Sequence, residues 1–213
     1  MTDCSGYTVG GGGYALYLSI VSDSAFLHVS GWGSEGGLYF KSGSNVFFSD
    51  NYWGGVTVGM TLLGVRRSAF VNQRVDNCTS HDIILGGGGT NEGSQYNSFC
   101  GTVVRGVNGT GNVSDVFHVE GSEGIATAYN LIDGITLQDE GKTPRYIINE
   151  HGTAGYVYGN TYTNYVGPAP GTEYVVSNST AGSYFSNVGM PTADPHVKGW
   201  VWSNSGVVTI SAG

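Results

Sequence analysis

The segments Ser24-Ala-Phe26-Leu-His-Val-Ser30, Ser44-Asn-Val46-Phe-Phe-Ser-Asp50 and Ser68-Ala-Phe70-Val-Asn-Gln-Arg74 follow one plan. A small residue and a spacer precede an aromatic or aliphatic anchor that opens a short apolar run. Four looser copies follow, at Ser94-Gln-Tyr96, Ser114-Asp-Val116, Pro144-Arg-Tyr146 and Thr172-Glu-Tyr174. Recurrence at a spacing of roughly 20–50 residues marks stacked units that bury their apolar faces against one another. The seven anchors recur at such intervals from Phe26 to Tyr174. The spacing predicts an all-β solenoid.

Outside the runs, glycine clusters such as Gly54-Gly55 and Gly86 to Gly89 punctuate the chain, and Gly and Asn tolerate positive φ at corners. Almost nothing shows the i, i+3, i+4 spacing or the caps of a helix. Strand residues alternate sides. The position after each anchor is apolar in six of seven copies (Leu27, Phe47, Val71, Asn97, Phe117, Ile147, Val175) and is expected to form the interior. The anchors Phe26, Val46, Phe70, Tyr96, Val116, Tyr146 and Tyr174 are then expected to face outward, as an apolar column that another subunit covers.

Three regions follow: 1–23, a lead-in segment and first strand; 24–190, the coil; and 191–213, where Trp200-Val-Trp202, a Ser-Asn-Ser-Gly turn and Val207-Val-Thr-Ile210 read as a hairpin. A hairpin suits the end of a solenoid, which otherwise exposes its core and a strand edge.

The chain has 213 residues, 37 of them glycine, and a net charge of −8. That charge argues against a nucleic-acid partner. No apolar stretch reaches the roughly 20 residues of a membrane helix, so no membrane insertion is expected. Cys4, Cys78 and Cys100 give an odd count without a CxxC pair, which is neither a disulfide framework nor a zinc site and fits synthesis in a reducing cytoplasm. Sequons at Asn77, Asn108, Asn112 and Asn178 read either as glycosylation sites or as by-products of turn composition. Gly141-Lys142-Thr143 lacks the upstream glycine of a phosphate loop, and no metal or other cofactor is expected.

The rung pattern over 24–182 resembles the right-handed parallel β-helix of the pectate-lyase-like group. The ending Asp194-Pro-x-Val-x-Gly, then Trp202-x-Asn-x-Gly-x-Val-x-x-Ser-x-Gly213, is similar to the C-termini of tailed-phage virion proteins. This resemblance implies a right-handed parallel β-helix with a C-terminal β-hairpin, in a homotrimeric tail spike or fibre. It further implies location in the virion, contacts with other virion proteins and either adhesion to bacterial surface polysaccharide or decoration of the particle, with depolymerase activity (glycoside hydrolase or lyase) as the alternative. No virion-attachment domain is recognisable before the coil, which fits a C-terminal fragment or a short accessory fibre.

Four residues after the anchors stand Ser30, Asp50, Arg74, Cys100, Glu120, Glu150 and Asn178. With adjacent rungs in register, Glu120 and Glu150 sit about one strand spacing apart, ~4.8 Å. That is close to the roughly 5–5.5 Å between the carboxyls of a retaining glycosidase. The pair reads as nucleophile and general acid, or as solvated outer carboxylates. His118 shares their expected face, and Trp32 and Trp53 offer loop aromatics for sugar stacking, so these three are the candidate glycan contacts. His28, His81 and His196 read as ordinary polar side chains.

Overall fold

The computed structural model describes residues 5–7, 13–33, 35–86, 93–105, 115–121, 126–138, 146–152, 156–164, 173–177, 184–185, 194, 196, 201–204 and 207–210. These residues form a parallel β-helix with three principal faces. A wide seven-stranded sheet contains Tyr14–Ser19, Gly36–Lys41, Val58–Leu63, His81–Leu85, Asp115–Gly121, Tyr146–Gly152 and Glu173–Ser177. A second face, the phenylalanine sheet, stacks Ala25–Leu27, Phe47–Ser49, Ala69–Val71, Ser98–Cys100, Leu131–Asp133, Thr161–Thr163 and Tyr184–Phe185. The third, six-stranded, runs from Ser5–Tyr7 through Ser30–Trp32, Tyr52–Gly54, Arg74–Asp76 and Val103–Arg105 to Thr136–Gln138. Pairing within all three is parallel, and Val201–Asn204 pairs antiparallel with Val207–Ile210 as the expected hairpin. No helix of the described residues is long and apolar enough to cross a membrane.

The coil begins before Ser24, because Ser5–Tyr7 and Tyr14–Ser19 already pair into the stack. Phe26, Phe48, Phe70, Phe99, Ile132 and Tyr162 stand in register on successive turns, so the first two turns are equal in length and the later ones are longer. Corners recur in register too. Asp23, Asn45, Arg67, Tyr96, Tyr129 and Gly159 precede the phenylalanine strands, and His28, Asp50, Asn72, Gly101, Gly134 and Asn164 follow them, all at φ between 49° and 71°. This left-handed region is costly except for Gly, Asn and Asp, which explains the turn chemistry visible in the sequence.

In three-residue strands only the middle side chain points inward. Phe26, Phe48, Phe70 and Phe99 therefore stack inside, with centroids 4.9, 5.0 and 4.7 Å apart. This corrects the outward column: Phe26, Val46, Phe70 and Val116 lie in the chain's own core and offer nothing to another subunit. Only Tyr96 behaves as expected, 53% exposed at its corner and stacked on Tyr129. Tyr146 lies within a strand and Tyr174 in the next, but their side chains fall outside the described residues. Among the position-after residues, Phe47 is 42% exposed while Asn97, Phe117 and Ile147 are buried. The seven copies belong to different sheets, so they share no common phase.

Polar rows run up the interior. Backbone amides of Ser68, Asn97 and Asn130 each donate to the side-chain oxygen of the asparagine one turn later, Asn97, Asn130 and Asn160, at 3.0 Å. Thus the chain satisfies buried amides at a corner where no strand continues the ladder.

Candidate functional site

The register of the wide sheet separates the two expected catalytic carboxylates. Glu120 pairs with His151 and Val119 with Glu150, so the turn is one residue longer than the motif spacing implies, and that slip sends the two side chains to opposite faces. Glu150 stands in an inward row, Leu18–Phe40–Leu62–Leu85–Val119–Glu150, and is fully buried. It accepts from the Tyr162 hydroxyl at 2.6 Å and from Asn160 Nδ2 at 3.3 Å. Burial and the Glu150 carboxylate push the Tyr162 hydroxyl well up, so it stays a donor. Glu150 is a structural end to the interior polar row, and it cannot share a substrate with Glu120 as acid and nucleophile.

Trp53 is likewise interior, at 0% exposure, with its Nε1 3.4 Å from Gln73 Oε1. Its indole occupies a slot kept open by glycine. A Cβ at Gly37 would lie 2.8 Å from Trp53 Cβ and 2.5 Å from Gly59 O, and one at Gly31 would lie 2.9 Å from Trp53 Cε3. A sugar cannot reach it. Trp32 does reach the surface, 37% exposed beside Tyr52, with Arg74 lying over the Tyr52 ring at 5.4 Å.

His118 is the expected residue that the structure places in a network. It stands in an outward row of the wide sheet, Tyr17–Tyr39–Thr61–Ile84–His118–Asn149. Tyr17 and Tyr39 stack at 5.0 Å and 5°, and Tyr14 packs on Tyr39 at 4.6 Å. Tyr17 is 58% exposed, whereas Thr61 and Asn149 are sunk to 8% and 5%. The row thus descends from an aromatic shelf into a recess.

At the recess Asp115, fully buried, directs Oδ2 at three nitrogens: Asn149 Nδ2 at 2.8 Å, His118 Nδ1 at 2.9 Å and His81 Nδ1 at 3.5 Å. His81 and His118 stack at 4.5 Å, and His151 follows at 5.5 Å. Residues three apart on a regular strand face opposite sides. Asp115 and His118 nonetheless meet at 2.9 Å, and the strict alternation is interrupted between them, where Val116 and Phe117 are consecutive and both buried. In the tautomer whose Nδ1–H donates to Asp115, His118 holds a lone pair on Nε2, as a general base requires.

Beside His81, Asp82 is fully buried, and neither carboxyl oxygen meets a nitrogen or oxygen donor among the described residues. Desolvation holds this acid well above the usual carboxylate range; the Cys78 thiol opposes that, and Asp76 and Asp115 add to it. Its environment favours the protonated form, and it stands outside the His118 network. His81, Asp115 and Asn149 carry no signal in the repeat. They stand on successive turns, and which of their neighbours meet depends on how much chain each turn contains.

No protein-family model and no curated protein matches the chain. Among solved structures, an alginate lyase from Paenibacillus sp. str. FPU-7 is similar over 79% of this chain and 76% of its own, at 13% identity and a TM-score of 0.34.

Proposed function

We propose that this protein is a polysaccharide-binding β-helix of a phage virion, a trimeric fibre or spike component that holds a bacterial surface glycan across its wide sheet. The observation that carries the reading is the single outward row from the Tyr17–Tyr39 shelf to His118 and Asn149. Five strand spacings of about 4.8 Å make it roughly 24 Å long, enough for several sugar units. Tyrosine faces stack on the apolar faces of sugars, and recessed His, Asn and Thr side chains supply hydrogen bonds.

The test is binding to a panel of bacterial surface polysaccharides. Tyr17→Ala is expected to weaken binding about 3- to 10-fold, the worth of one aromatic contact. Tyr129→Ala, on another face, leaves it unchanged. A panel without a binder, or equal losses in both variants, defeats the reading. A second reading, depolymerisation, rests on the Asp115–His118 pair, with Nε2 of His118 as general base. Release of reducing ends or unsaturated sugars that disappears in His118→Ala distinguishes cleavage from adhesion.

Assembly belongs to the same proposal, but through different residues from the expected column. The outer side of the phenylalanine sheet carries a row Ala25–Phe47–Ala69, then Ser98 and Leu131, with Phe47 and Leu131 each 42% exposed. Light scattering is expected to give three times the chain mass, and Phe47→Asp to shift it toward the monomer. A wild-type monomer removes the trimer from the proposal.

A further inference from the structure

We propose that His81, Asp115 and His118 form a binding site for a divalent transition-metal ion of the zinc class. The inference stands on the side-chain cluster and is independent of the glycan reading. Each of the three residues offers one ligand atom, and these atoms all lie within 4.8 Å of one another. Two imidazoles and one carboxylate on a single side of an ion leave its other positions open, the donor set of zinc and of other first-row divalent ions.

The two separations from the Asp115 oxygen suit such an ion. With bonds of about 2.0–2.2 Å, donors 2.9 and 3.5 Å apart subtend angles of roughly 90–120°. Protonation points the same way. The Asp115 backbone N–H donates to His81 Nδ1 at 3.3 Å, so that nitrogen presents its lone pair. The same nitrogen faces Asp115 Oδ2, a second acceptor, at 3.5 Å. These two acceptors, one of them the buried carboxylate itself, repel, and a cation between them converts that repulsion into two coordinate bonds. Binding costs the long amide contact to His81 and moves the His118 ring proton from Nδ1 to Nε2, so the imidazole stays neutral as a ligand.

A supporting shell is already built. Asn149 is 5% exposed and donates from Nδ2 to the same Asp115 oxygen at 2.8 Å, which fixes the carboxylate that would ligate. The His81 and His118 side chains are 18% and 13% exposed, so the ion's open positions face the recess and the outward row. There the ion would take water or a sugar oxygen. The exposed His151, beside His118, is the nearest further imidazole.

The experiment uses the full chain, stripped with a chelator and dialysed against Zn²⁺ or Co²⁺ with no polysaccharide present, so its outcome is separate from that of the glycan assay. We expect one ion per chain and, with Co²⁺, visible absorption bands of a nitrogen–oxygen site. His81→Ala and His118→Ala are expected to lower affinity by at least about 100-fold, and Asn149→Ala by about 10- to 100-fold. His196→Ala, at an exposed histidine far along the chain, leaves affinity unchanged. Circular dichroism shows that each variant is folded, and His81→Gln replaces any alanine variant that is not. Uptake by wild type no greater than by the His81→Ala/His118→Ala double variant, or equal affinity in wild type and His81→Gln, overturns the proposal.

Discussion

Asn130→Ala is expected to lower the free energy of unfolding by about 3–5 kcal/mol, the range of a broken buried hydrogen-bond network. The Asn130 side chain is 1% exposed. Its Oδ1 accepts from the Asn97 backbone N–H at 3.0 Å and from Asn97 Nδ2 at 3.1 Å. Its Nδ2 donates to Ser94 O and to Asn160 Oδ1, each at 3.0 Å. Alanine leaves the Asn97 backbone N–H buried without this partner, at about 1–3 kcal/mol, and removes three further hydrogen bonds worth about 0.5–1.5 kcal/mol each, although Ser94 O keeps the Ala128 N–H at 3.1 Å. Urea unfolding followed by circular dichroism measures the loss. Gln138→Ala, at an exposed residue, is expected to stay within about 0.5 kcal/mol of wild type. A loss below about 1 kcal/mol for Asn130→Ala would mean that water replaces the side chain and that the row is not a dry ladder.

The same row shows what is legible in the sequence. Repeated apolar runs, turn-forming residues between them and a want of helical periodicity are enough for a parallel solenoid, because each is a local property of one turn. The terminal hairpin is legible for the same reason: Ser203-Asn-Ser-Gly206 sits between two alternating segments. Register is not local. The first two turns are equal and short, and there Ser24, Ser44 and Ser68 mark the copies almost in phase. Beyond Phe70 each turn holds more chain, and a motif chosen by residue type slips from the phenylalanine sheet to the wide sheet. Thus the motif aligns Val116 with Tyr146, although Tyr146 pairs with Asp115.

That single slip accounts for most of the errors in the candidate site. It joins Glu120 to Glu150 when the true partner of Glu120 is His151. It also hides the histidine network, since His81 meets Asp115 only across one of the lengthened turns. His118 is reached because it shares a strand with Glu120, and nothing in the motif points to its partners. Trp53 fails for another reason. A tryptophan flanked by Gly54 and Gly55 looks like a loop aromatic, and only the empty positions at Gly31 and Gly37, one turn away, show that the ring fills a slot.

Phe70→Ala is the second large effect, about 3–5 kcal/mol, and it tests the phase of the whole coil. Phe70 is fully buried between Phe48 and Phe99, with centroids at 5.0 and 4.7 Å and ring planes within 7° and 9°. Truncation opens a cavity and removes two stacking contacts at once. Stability of a solenoid is a sum of turns and the interfaces between neighbours, so a gap in the middle of the stack weakens the coupling of the turns before Phe70 to those after it. We therefore expect Phe70→Ala to broaden the urea transition or split it, with amide protection lost first in the turns nearest Phe48 and Phe99. Phe47→Ala is the discriminating partner, since Phe47 neighbours the stacked Phe48 along the chain but points outward at 42% exposure. In a dilute monomer it is expected to cost under about 1 kcal/mol; a cost that grows with protein concentration belongs to subunit contact, not to the core. Equal losses for the two variants in the monomer would mean that inward and outward have been exchanged in these strands, and the outward rows built on the same alternation would then have to be redrawn.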